Sequence, residues 1–121
     1  MVKLESLKKS YQFKKTLKEK KVHSDFFSIF ATKNFYKPKY KSNLLISFVM
    51  KKKIGNAVKR NKIRRKLKAI VQKLLKKRGA ISKDYTYIVF GKSNAYTQKQ
   101  AVLMTLMEQC FNKIKAKWSR C

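Results

Sequence analysis

Apolar residues follow two rhythms along the chain. Over residues 26–31 they alternate, with Phe26, Ser28 and Phe30 on one side and Phe27, Ile29 and Ala31 on the other. Residues 45–50 alternate similarly, and residues 85–90, opened by Asp84 and closed by Gly91, make a third strand-like run. Elsewhere the spacing is helical. Ile63, Leu67, Ile70, Val71, Leu74 and Leu75 predict a long helix ending near Arg78, with Gly79 as its stop. Leu103, Met107, Cys110 and Ile114, flanked by Leu106 and Phe111, predict another over residues 97–118. A short helix over residues 11–20, with Ser10 as N-cap, places Phe13 and Leu17 on one face. The strand–helix–strand order predicts that runs 45–50 and 85–90 lie parallel, and run 26–31 is expected antiparallel to run 45–50. The fold class expected is α+β: a small central mixed sheet of three to four strands with about three helices. Crossovers of this kind are usually right-handed.

At 121 residues the chain can bury one core. A basic lead over residues 1–9 is followed by a single domain over residues 10–121, with a polar loop over residues 32–43 that carries Pro38, the one proline. No repeat or low-complexity linker divides it. Charge then changes the picture: 33 Lys and Arg against five Asp and Glu give a net charge of +28, spread along the whole chain. The partner implied is a polyanion. No apolar run approaches the ~20 residues needed to span a bilayer, and residues 1–9 lead into no signal-like apolar core. The expectation is a cytoplasmic protein that does not bind membranes.

Three of the five arginines, Arg60, Arg64 and Arg65, fall within six positions at the start of the long helix. At 3.6 residues per turn, Arg60 and Arg64 form one row, with Asn61, Arg65 and Lys68 in the row beside it. Guanidinium forks and an amide beside the unpaired N–H groups of a first helical turn suit phosphate oxygens.

The run Lys52-Lys53-x-Gly55-x-Ala57-Val58-x-Arg60-Asn61-x-x-Arg64-Arg65 resembles the signature of the bacterial ribonuclease P protein family. Lys62 and Lys68 stand where that family usually has arginine, keeping charge but losing the bidentate fork. The resemblance implies a left-handed crossover. It also implies RNA binding by Lys52, Lys53, Arg60, Asn61, Lys62, Arg64, Arg65 and Lys68. The partners implied are ribonuclease P RNA, one protein per RNA, and precursor tRNA, whose single-stranded 5′ leader would lie in a cleft marked by Phe13, Leu17 and Phe30. Leu17 falls where the family is often aromatic. Read from the residues alone, Phe13, Leu17 and Phe30 are equally candidates for plain core.

The acids Glu5, Glu19, Asp25, Asp84 and Glu108 are scattered without paired spacing, and His23 is the one histidine. Converging carboxylates for metal-dependent cleavage, or an acid–base pair for metal-free cleavage, are not provided by that set. Cys110 and Cys121 fit no zinc spacing. No catalytic residue and no protein-held metal is therefore expected. By resemblance, Mg²⁺ is held by the RNA subunit, which carries the endonucleolytic 5′ maturation of tRNA. The alternative is a ribosomal or general RNA-binding protein with no role in tRNA processing. Charge alone does not separate the two.

Overall fold

The computed structural model describes residues 4–7, 10–18, 20–33, 44–77, 81 and 85–119. In chain order these form β1 (Leu4–Glu5), α1 (Ser10–Leu17), β2 (Lys20–His23), β3 (Phe27–Lys33), β4 (Leu44–Val49), α2 (Ala57–Leu75), β5 (Tyr85–Gly91) and α3 (Gln100–Ser119). Single 3₁₀ turns lie at Lys52–Ile54 and Ser93–Tyr96. The strand order in the sheet is β1-β4-β5-β3-β2.

The α+β expectation holds, and β4 and β5 are parallel with α2 between them in sequence. β3 runs opposite to β4 but does not pair with it; β5 lies between them and pairs antiparallel with β3. Two strands escape local pattern. β2 pairs antiparallel with β3, and β1 adds two residues, parallel to β4, from within the basic lead. Leu7 just beyond β1 is buried, and its N–H donates to Ser47 Oγ at 2.8 Å. The expected helix stop at Gly79, the strand opener Asp84, Pro38 and Cys121 lie outside the described residues.

Alternation in the strands gives the sheet two unlike faces. On one, Phe27, Ile29, Ala31, Leu44, Ile46, Tyr87 and Val89 meet Ile63, Leu67, Ile70, Val71 and Leu74 of α2 and Leu103, Met107, Phe111 and Ile114 of α3, all buried. Each such side chain removed from water contributes about 1.5–3 kcal/mol before entropy is counted. Tyr87 and Phe111 meet edge to face, centroids 5.1 Å apart. Cys110 is buried in the same cluster, and burial raises its thiol pKa, with Lys113 acting weakly the other way. Gly91 ends β5 against α2 and Met50: a Cβ there would stand 2.9 Å from Ile63 Cγ2 and run into Met50.

The opposite face buries Ser28, Thr32, Leu45, Ser47, Thr86 and Ile88. Its covering helix, α1, is only eight residues long. Among the described side chains of α1 the buried ones are Gln12 and Thr16, with Thr16 Oγ1 donating to the Gln12 carbonyl at 2.8 Å. Phe13 is half-buried and Leu17 is 39% exposed. The apolar pair at i and i+4 therefore lies beside the buried side of this helix rather than forming it.

Candidate nucleic-acid interface

α2 begins where β4 ends, and the turn between them is built for that change of direction. After Lys51, Lys52 and Lys53, Gly55 takes φ 155° and ψ −162°, a conformation open almost only to glycine. Asn56 then caps the helix, its Oδ1 accepting from Lys59 N–H at 2.9 Å. With Ile63 and Leu67 fixed on the core, the motif residues are carried around the first three turns.

One flank of those turns is acid-free. Asn61, Arg65 and Lys68 are exposed, and Arg60 and Arg64 are half-buried. Arg64 Nη1 donates to Asn61 Oδ1 at 2.8 Å, which orients the guanidinium. Arg60 Nε is shielded from solvent and has no hydrogen-bond partner. Among the described residues no carboxylate pairs with Arg60, Arg64 or Arg65. Lys77 and Glu108, which do pair at 2.8 Å, lie past the end of this helix and on α3.

The other flank is occupied by the protein itself. Lys66 Nζ donates to three carbonyls, of Ala95 at 3.0 Å, Tyr96 at 3.0 Å and Gln98 at 2.6 Å. It thereby closes the end of the Ser93–Tyr96 turn. Burial, and secondarily the nearby Lys62 charge, lower its pKa below the usual lysine value. Lys59 Nζ donates to Ser93 Oγ at 2.8 Å, and the ammonium groups of Lys59 and Lys62 lie 5.4 and 4.7 Å from the Tyr96 ring centroid. Lys62, grouped by sequence with the RNA-binding residues, thus stands with Tyr96 and apart from the arginines. Lys66 carries no sequence mark that separates it from its neighbours.

Beyond the carboxyl ends of β4 and β5, a cavity of about 690 Å³ opens on the thinly covered face. Leu17, Phe30 and Phe90 supply its apolar wall, His23 and Ser28 a polar corner, and Lys51, Lys53 and Lys92 its charge. Phe30 and Phe90 meet edge to face at 5.4 Å, and Lys51 Nζ lies 5.6 Å from the Phe90 centroid. Of the three residues expected to mark a leader cleft, Leu17 and Phe30 line this cavity; half-buried Phe13 is not in its lining. The sequence reading places none of Phe90, Lys51 and His23 in that cleft, and it weighs His23 only as the one histidine. Lys53 joins the cavity to the start of α2, and Lys52 is exposed beside it.

Among the described residues no three His, Cys, Asp or Glu side chains gather as a metal site, and no helix is long and apolar enough to cross a membrane. Comparisons with known proteins point one way. The family model described as Ribonuclease P matches residues 1–115. The ribonuclease P protein component of Mycoplasma capricolum is 30% identical over 109 residues, covering 90% of this chain and 94% of that protein. The Mycoplasma mycoides protein of the same description is 31% identical with the same coverage. In fold, a Staphylococcus aureus RNase P protein superposes with TM-score 0.72 at 22% identity, covering 91% of this chain and 87% of that one. The Thermotoga maritima RNase P protein gives 0.68 at 21% identity, covering 89% and 96%. The glycine turn, the arginine-bearing helix start and the matched length together make this chain a member of the bacterial ribonuclease P protein family, the protein component of an endoribonuclease of tRNA processing.

Proposed function

We propose that the protein binds the ribonuclease P RNA through the acid-free flank of α2 and holds the 5′ leader of precursor tRNA in the cavity beside it, promoting endonucleolytic 5′ maturation. The observation that carries this reading is the set Arg60, Asn61, Arg64, Arg65 and Lys68, which no acid among the described residues engages, within a chain of this family. Lys52 and Lys53 extend the same charge to the cavity mouth. A folded RNA offers phosphates to such a flank, whereas an extended leader offers unstacked bases, which aromatic walls such as Phe30 and Phe90 accept. Phe13 would border the leader path from α1.

The protein itself supplies no cleaving groups in this reading. Catalysis belongs to the RNA subunit and its bound Mg²⁺, with one protein per RNA, in the cytoplasm. The test is reconstitution with ribonuclease P RNA at low Mg²⁺, measuring release of the 5′ leader from precursor tRNA. The expected result is a clear rise in cleavage over RNA alone, with no cleavage by RNA-free protein. No rise, together with association with ribosomes in cells, would instead favour a ribosomal or general RNA-binding role.

A further inference from the structure

The cavity differs from a plain aromatic groove in one corner. The register of the β2–β3 hairpin sets His23 directly opposite Ser28 and Lys21 opposite Phe30. His23 Nδ1 lies 2.6 Å from Ser28 Oγ, and its ring meets Phe30 edge to face at 6.0 Å. Two contacts therefore hold the orientation of an otherwise exposed imidazole in the cavity lining. Ser28 is buried, and among the described residues His23 Nδ1 is the acceptor within reach of its hydroxyl proton. In the tautomer in which the hydroxyl donates and Nδ1 accepts, the ring N–H is on Nε2. A fixed N–H donor then stands at the edge of an apolar wall.

Leu17, by contrast, offers only an aliphatic surface to the cavity. The ring nearest the lysines is Phe90, half-buried, with the exposed Lys51 ammonium near its face. A base arriving on Phe90 would displace that ammonium toward the adjoining phosphate, exchanging a weak cation–π contact for stacking and an ion pair.

We infer that Phe90 and His23 are the base-reading groups of this cavity: Phe90 stacks an unpaired leader base of any kind, and His23 Nε2–H selects among bases by donating to an acceptor on the base edge. The inference rests on the reading that the leader enters the cavity. It assigns the two groups different signatures, because every base has a π face whereas edge acceptors differ in position from base to base.

The experiment uses holoenzyme assembled from ribonuclease P RNA and the full chain. Affinities are measured for leaderless tRNA and for precursor tRNAs carrying each of the four bases in turn at successive leader positions. Wild type is compared with Phe90→Leu, His23→Ala and His23→Gln, the last placing an amide N–H near the Nε2 position. Phe90→Leu is expected to weaken every leader-bearing substrate about tenfold. His23→Ala is expected to weaken only the preferred base at one position, roughly fivefold, and so flatten discrimination there. His23→Gln is expected to restore it. Tighter binding of leader-bearing substrate by wild type, with base discrimination unmoved by His23→Ala or lowered equally for all bases, would overturn the inference while leaving the leader reading intact. Equal affinity of wild type for leaderless and leader-bearing substrate would overturn the leader reading, and the inference with it.

Discussion

The two flanks of α2 carry the same kind of charge and do opposite things with it. On one, Lys59, Lys62 and Lys66 turn to Ser93, Tyr96 and three backbone carbonyls. On the other, Arg60, Arg64, Arg65 and Lys68 meet no acid among the described residues, and Asn61 orients Arg64. A cation surrounded by the protein's own acceptors serves the fold. A cation without them is available to a polyanion. Net charge says nothing about this division; it is decided by which acceptors the tertiary structure brings alongside.

The largest effect expected from disturbing this division is on RNA affinity. Arg64→Ala combined with Arg65→Ala should weaken binding to ribonuclease P RNA about 100-fold at low salt, since each charge-assisted contact contributes about 1.5 kcal/mol. The slope of log affinity against log salt should become shallower by about 1.5, while the urea midpoint stays put. Filter binding across a salt series measures both, and undiminished affinity would relocate the RNA surface. On the opposite flank, Lys66→Met should cost about 2 kcal/mol of unfolding free energy in urea titrations, because three carbonyls lose a charged donor. RNA affinity of the folded variant should hardly move.

Two smaller effects sharpen the contrast. Sulfate should raise the melting temperature of wild type by about 5 °C, on the order of 1 kcal/mol, by relieving repulsion among unpaired cations, and should raise that of the double arginine variant less. Equal melting temperatures with and without sulfate would remove the electrostatic basis of the comparison. Smallest of all, Lys62→Ala should reduce RNA affinity less than Lys68→Ala does, since Lys62 lies over Tyr96 and an exposed cation–π contact contributes only about 0.5–1 kcal/mol.

Sequence made the helices, three of the strands and the motif legible because each rests on local periodicity or on a turn with special backbone demands. Ile63, Leu67 and Leu74 announce a buried stripe, and Gly55-Asn56 announces a turn, whereas the cap made by Asn56 is seen in the structure alone. What stayed hidden depends on pairing at long range. β2, with only Val22 facing the core among basic neighbours, has no pattern of its own and exists because β3 offers it an edge. The insertion of β5 between β3 and β4 cannot be read from order along the chain. The cavity shows the same division: Phe30 and Leu17 were visible from the family pattern, whereas Phe90 joins them only through the β3–β5 register that sets Phe90 against Ser28. In α1, the buried positions among the described side chains fall to Gln12 and Thr16 rather than to Phe13 and Leu17.

The hairpin tip between β2 and β3 is tied to the segment after β5. Lys92 N–H donates to the Phe26 carbonyl at 2.9 Å, Lys92 Nζ to that of Ser24 at 2.6 Å, and Asn94 Nδ2 to that of Asp25 at 2.8 Å. That same segment is pinned to α2 through Ser93 and the carbonyls that Lys66 holds. The arginine row and the groove wall therefore keep a set spacing, like two jaws on one frame. A ligand that engages both meets a protein already in its working shape, so little ordering entropy opposes the second contact once the first is made. On the proposed reading the frame would act as a caliper, favouring RNAs whose folded body and loose end are separated by that one interval.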